Sequence, residues 1–414
     1  MEISAEEIKK RAYALKDQII RDRRHLHQIP EIGTDLPETS AYIKKRLDEM
    51  GIPWKDCGGP LPVKMTDDFV EAGFPRMEKE TGVTAVIGHG SPCILLRADM
   101  DALPVREDND LEYKSCNGAG HMCGHDSHAA MLLGAAQILK DMESELKGSV
   151  KLMFQPGEET GAGARVMVEN RALQDPQVNA AFGLHVQPTD DTGKVGYAVG
   201  VNSASLDSLI LKIHGRGGHS SQPQLCTDPL MIMNQVYQAV NLLATREADP
   251  AAMVALTCGV AKGGTAVNII PDEAELHIGL RTLDVEAAEH LKKRIPEVID
   301  HYVKAWNGDY DLTIFHTPCT FSNEELCREV VPHIGEVVGE EKVYQIPPMT
   351  GTEDFGYVTT EVPGMFAFIG AGKPGNAPLH SPKMILDEEV LPLGAAVHAN
   401  VAVTWLEEHG KENH

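Results

Sequence analysis

Nine residues, 120-GHMCGHDSH-128, hold three histidines, one cysteine and one aspartate. Such a cluster is either a metal site or a polar loop, and its neighbours decide between them. Gly118, Gly120 and Gly124 argue against a helix before Asp126, which can instead cap a helix that starts near Ser127. Cys123 and His125 then sit on a turn, where Gly124 lets both side chains point at one ion. A thiolate and a neutral imidazole suit zinc and are acceptable for manganese, cobalt or nickel. The competing reading is a buried structural cysteine beside a hydrogen-bonded histidine. His121 and His128 read as packing residues or as supports for ligands.

Three more polar groups stand directly after apolar runs. Asp99 and Asp101 follow 93-CILLRA-98, Glu158 and Glu159 follow 149-SVKLMF-154, and His185 ends 179-NAAFGLH-185. In an open α/β sheet, ligands collect outside the carboxyl ends of strands, so these segments can converge with the 120–128 cluster. Neighbours on an extended chain point apart, so of Glu158 and Glu159 one can bind a metal while the other takes a proton. Asp99 and Asp101 share a face, and either can ligate an ion or orient a ligand. His380, in 377-APLHSP-382, reads by itself as a surface residue. The turn 214-HGRGGHSSQP-223 carries His219, and the loop 263-GGTAVNIIPD-272 carries Asn268. Neither has a phosphate-loop pattern, and Ser220 and Ser221 lack the GxSxG elbow of a serine hydrolase.

The elements that must hold these groups follow from periodicity. Apolar runs without strict alternation, separated by helical stretches such as 127–146, predict an α/β fold with a mostly parallel sheet. Ser4 and Glu7 form a capping box for a helix expected to run to about His27, before Pro30. From about 193 the order becomes strand 206–215, helix 228–246, strands 252–261 and 274–282, helix 284–305 and strand 310–316, a ferredoxin-like βαββαβ unit. The expected domains are therefore a catalytic part at 1–192, an inserted lid or dimerisation domain at 193–310, and a second catalytic part at 311–414 with helices 323–339 and 387–408. The stretch 60–80, with its prolines and charges, reads as a long excursion at the surface.

Composition narrows the function. The chain has 414 residues and a formal charge of −24, which disfavours nucleic acid and anionic lipid as partners. The start is neither a signal nor an anchor, and no apolar stretch is expected to approach a membrane span. The eight cysteines show no CxxC pair or framework spacing, which points to a reducing cytoplasm.

In combination, RRHLHQIPEIG, LRADMDALPV, GHMCGHDSHAAMLLGAA, FQPGEETGAGA, FGLHV, GRGGHSSQP, AVNIIPD with LRT, GTEDFG and PLHSP resemble the M20 family of metallopeptidases and amidohydrolases. The resemblance is to the branch of N-acyl-amino-acid, hippurate and indoleacetyl-amino-acid hydrolases, and it spans nearly the whole chain. It implies two divalent metal ions per subunit, held by Cys123, His125, Glu159, His185 and His380. It implies Glu158 as general base, Asp101 as support for the metal site, and His219 as the group that polarises the scissile carbonyl, often from the neighbouring subunit of a dimer. Asn268 and Arg281 match residues that hold the substrate. Asp99 departs from the histidine ligand of many other branches, with His125 as the replacement. The implied reaction releases an amino acid from a small-molecule N-acyl conjugate; cleavage of dipeptides is the alternative.

Overall fold

The computed structural model describes residues 4–71 and 76–410. The chain divides into two compact units: Met1–Asn202 with Thr320–Pro347 and Asp354–His414, and Ser203–Cys319 with Pro348–Glu353.

The first unit is built on an eight-stranded sheet. Four neighbouring strands at its centre, Ser149–Gln155, Cys93–Asp99, Ala180–Asp191 and Gly364–Gly372, are mutually parallel. Strand Val83–Gly88 adds antiparallel on one side and Val195–Tyr197 on the other. Every residue of Cys93–Asp99 and Ser149–Gln155 is buried, which is why those runs lack a polar face. Parallel strands that start in register end in register, so Asp99 and Gln155 pair directly. The groups that follow them are thereby delivered to one edge of the sheet.

Helices cover this sheet. Ser4 caps helix Ala5–Ala14 through the Glu7 amide, but the single helix expected to reach His27 is broken at Leu15, and a second runs over Lys16–Gln28. Helix His125–Asp141 packs on Val390–His409, which also packs on Glu324–Val338. The expectation that no segment approaches a membrane span is corrected here: Val390–His409 is long and apolar enough, but 89% of its apolar window is buried. Its apolar surface serves the core of this unit, where contact with neighbouring helices on several sides demands side chains that are apolar all round.

The excursion is more ordered than a surface loop. It contains helix Val63–Glu71, with Thr66 and Phe69 buried, and returns through strand Lys79–Glu80, paired with Gly59–Pro60. Leu61 and Met77 are buried as well.

The second unit has the order strand Ser205–His214, helix Pro229–Arg246, strands Val254–Gly263 and Glu273–Thr282, helix Val285–Ala305, strand Asp309–Thr317. Its four strands form an antiparallel sheet, with Ser205–His214 and Glu273–Thr282 central. Both helices start at an aspartate cap, Asp228 and Asp284, and a core of residues including Leu211, Ile232, Leu280 and Ile295 joins them to one sheet face. The expected boundaries move. Residues 193–202 stay with the first unit because Val195–Tyr197 joins its sheet. The boundary at 310 would cut a strand whose nine residues pair with Ser205–His214, so the unit runs to Cys319.

Candidate metal centre

Cys123 and His125 lie at the start of helix His125–Asp141, on either side of Gly124. Gly124 has φ +83°, and a Cβ there would come within 2.5 Å of the Val186 side chain. Both the backbone bend and the close approach therefore require glycine. Asp126 does not cap the helix as expected; no side chain among the described residues caps it, and the Asp126 carboxylate instead forms an ion pair with Arg23 and a hydrogen bond with His27.

His185 and His125 are each oriented by the second ring nitrogen. His185 Nδ1 donates to the Val186 carbonyl at 2.8 Å, which leaves the Nε2 lone pair 3.6 Å from Cys123 Sγ. His125 Nδ1 lies 3.3 Å from Asp101 Oδ1, and its Nε2 is 4.0 Å from Glu159 Oε1. His380 has φ +64° and its amide donates to the Met122 carbonyl at 2.7 Å, so the loop 377–382 is tied beside Cys123. Its Nε2 is 3.3 Å from Glu159 Oε1. His128 is different. Both of its nitrogens are engaged, Nδ1 with Asp99 Oδ1 at 2.5 Å and Nε2 with the Val186 amide at 2.9 Å. It braces the strand end that carries His185.

Glu158 and Glu159 are not on extended chain. They open a single 3-10 turn, Glu158–Thr160, between Gly157 at φ +72° and Gly161 at φ +69°. The two oxygens of buried Asp101 accept the Glu158 and Glu159 amides at 3.0 and 3.1 Å. One carboxylate thus fixes the backbone of both glutamates and the ring of His125.

The donor set fits a metal. Ligand atoms of Cys123, His125 and Glu159 lie within 4.8 Å of one another, as do those of Asp99, His125, His128 and His185. His125 Nε2 and Glu159 Oε1 are buried without a hydrogen-bond partner among the described residues. Buried polar atoms are rarely left so. The protonation pattern agrees. Burial disfavours charge on His125, yet Asp99 and Cys123 push its pKa well above the ordinary value. Proximity to Cys123 and then Glu159 raises His380 to about 10. Burial works against a charged Glu159, but His380 and His125 hold its carboxyl below the usual range. Burial pushes the Cys123 thiol up. The metal-free pocket thus gathers protons around a concentration of ligands, and a cation would replace them.

Arg97 was not among the sequence candidates. It is 2% exposed, and its guanidinium bonds Gln155 at 2.8 Å, Asp99 at 2.8 Å and Asp354 at 3.2 Å. Its signal was present: one charged residue inside the apolar run CILLRA.

In the second unit, strands Gly218–His219 and Ile269–Ile270 pair, and the Ser220 amide donates to the Asn268 carbonyl at 3.2 Å. This brings His219 and Asn268 together, both exposed. The Ser221 hydroxyl lies 2.8 Å from His219 Nδ1. Arg281, half-buried, bonds the Thr352 hydroxyl and has no carboxylate partner among the described residues; burial lowers its pKa.

Residues 95–404 match peptidase family M20/M25/M40. The chain belongs to this family. The M20 chain is 36% identical to IAA-amino acid hydrolase ILR1-like 4 of Arabidopsis thaliana over 94% of its own length and 86% of that protein. It is 35% identical to N-acetyl-L-cysteine deacetylase of Bacillus subtilis, over 91% of its length and 85% of the relative. Its fold matches the crystal structure of Bacillus subtilis YXEP protein, a dinuclear metal binding peptidase from the M20 family, with a TM-score of 0.73 and 29% identity, covering 95% of this chain and 99% of the other. The M20 chain is thus a hydrolase of amide bonds with a divalent-metal site.

Proposed function

We infer that the protein releases an amino acid from a small N-acyl conjugate, using two divalent ions held by Cys123, His125, Glu159, His185 and His380. The observation that carries this reading is the donor cluster Cys123, His125 and Glu159 beside a turn whose backbone Asp101 locks. Similarity to hydrolases of acyl amino acids supports the substrate class. The thiolate favours zinc, and manganese, cobalt or nickel also suit the set.

Bound ions supply Lewis-acid polarisation of the amide carbonyl and make water a better acid. Glu158 takes the proton from the attacking water and delivers it to the leaving amine. Asp101 keeps Glu158 in place by holding its amide. His219 stabilises the developing oxyanion, Asn268 holds the substrate, and Arg281 pairs with the free carboxylate of the amino-acid half, for which its guanidinium, bonded to the Thr352 hydroxyl and to no carboxylate among the described residues, is suited. The outer edge of strand Val254–Gly263 pairs with no other strand among the described residues, which supports a homodimer. None of the eight cysteines forms a disulfide, which supports a cytoplasmic setting.

The test is amino-acid release from a panel of N-acyl amino acids and dipeptides by apo protein reloaded separately with zinc, manganese, cobalt and nickel. Metal-dependent cleavage of acyl conjugates over dipeptides is expected. Preference for dipeptides would make the protein a peptidase, and silence with every metal would overturn the reading.

A further inference from the structure

His27 lies in helix Lys16–Gln28, far in sequence from every ligand discussed above, and is 1% exposed. Its two ring nitrogens face two different carboxylates. Nδ1 is 2.9 Å from Asp126 Oδ2 and Nε2 is 3.1 Å from Glu107 Oε2, and both acids are buried. With an acceptor on each side the ring donates twice and carries a positive charge. Burial opposes that charge, but the bonds to Asp126 and Glu107 prevail. Arg23, from the same helix, adds a contact of 2.8 Å to Asp126 Oδ2.

What these groups connect is the informative part. Asp126 follows His125 directly, on the turn that carries Cys123. Glu107 accepts from the Ser115 amide at 3.1 Å and from Asn109 Nδ2 at 3.2 Å. Asn109 Nδ2 also donates to the Met384 carbonyl at 2.9 Å, and the Asp108 amide donates to the Pro382 carbonyl at 2.7 Å. Those carbonyls belong to the segment that carries His380. The 120–126 turn and the 380–384 segment are otherwise joined near the ligands by the bond from the His380 amide to Met122.

Burying an arginine, an imidazolium and two carboxylates is costly, and hydrophobic packing would hold a helix against a loop at least as well. A charged bridge offers direction instead: a two-ended donor sets the distance between its acceptors. We propose that His27 is a positioning residue for the metal centre, a charged strut that fixes the Cys123–His125 turn through Asp126 and the His380 segment through Glu107. This rests on the ligand reading given above.

The full-length apo protein is titrated with cobalt(II), whose thiolate charge-transfer and d–d bands report ligand geometry, in the wild type and in His27→Gln. Glu107→Gln, which keeps the shape and removes the charge at the far end of the strut, is the second variant in case His27→Gln does not fold. Asp22→Asn is the control. Asp22 lies on the same helix, is also buried and accepts from Gln18, Tyr42 and Arg46, but reaches no metal loop. The strut predicts altered d–d bands and a loss of cobalt affinity on the order of 10–100-fold in His27→Gln and Glu107→Gln. Asp22→Asn should lower the melting temperature and leave the spectrum alone. Wild-type spectra and affinity in folded His27→Gln or Glu107→Gln would overturn the proposal, as would an Asp22→Asn spectrum shifted equally. A wild type that binds cobalt with no thiolate band would overturn the ligand reading itself and the strut with it.

Discussion

Oδ1 of Asp101 lies 3.3 Å from Nδ1 of His125, and this contact decides which ring nitrogen is left for a metal. The same carboxylate holds the amides of Glu158 and Glu159. In Asp101→Asn one oxygen becomes an NH2, which cannot accept from an amide or from a protonated imidazole. Metal affinity is expected to fall on the order of 10–100-fold, measured by competition with a chromophoric chelator. An unchanged affinity would show that the turn and ring are held by something else.

Glu158→Gln separates the two neighbouring glutamates. The amide cannot take a proton, so kcat should fall by about 10²–10⁴, the usual worth of a general base, while metal content by elemental analysis stays near the wild-type value. Loss of metal from this variant would exchange the roles of Glu158 and Glu159.

How far such assignments were readable depends on whether the deciding contacts are local. The Cys123–His125 turn was legible because Gly124 and the ligand types sit within three residues, and the strand ends were legible because buried runs announce themselves. The βαββαβ order of the second unit follows from periodicity alone. Arg97 and His27 carry no local sign of their roles, because what defines each is a partner distant in sequence: Asp354, and Glu107 with Asp126. His128 reads as a packing residue or a support for ligands, and its bonds to Asp99 and the Val186 amide make it such a support. Asp126 was misread as a cap for the same reason, since local propensity yields when an arginine from another helix arrives. His380 reads as a surface residue and is exposed in the structure; what a proline-rich loop carries no sign of is that its backbone is tied to Met122 and its ring lies beside Glu159.

The excursion supplies a stability contrast. Phe69 is fully buried in helix Val63–Glu71, whereas Val63 is 72% exposed. Phe69→Ala should cost about 3–5 kcal/mol, and Val63→Ser should stay within about 0.5 kcal/mol of wild type. Chemical denaturation measures both. Equal, small effects would mean that this helix does not share the core of its unit.

Glu80 ties that excursion to pH. It is 4% exposed, neither carboxyl oxygen has a hydrogen-bond partner among the described residues, and burial, reinforced by Asp354 and Glu169, raises its pKa well above the ordinary value. The folded chain therefore keeps a proton that the unfolded chain releases. Folding takes up that proton above the unfolded value of 4.5, so this group's contribution to stability falls as pH rises, by up to about 1.4 kcal/mol per unit. Glu80→Gln carries no such proton. Its urea midpoint should fall less than that of wild type between pH 5 and 8, and parallel curves would refute the buried neutral acid.

Metal binding should release protons, and His380 says in which direction pH acts. Its pKa is raised to about 10 by Cys123 and Glu159, so near pH 7 the metal-free chain holds a proton there that a ligand nitrogen must give up. Apparent affinity should then rise with pH, tenfold per unit for each proton lost, until the pH passes the pKa of the group that loses it. Calorimetric titration with zinc in buffers of different ionisation enthalpy counts the protons as a slope. His380→Ala should lower that count as well as the affinity. A count unchanged by the substitution would mean that the released proton comes from the buried Cys123 or His125, and that His380 is a neighbour of the centre and no ligand.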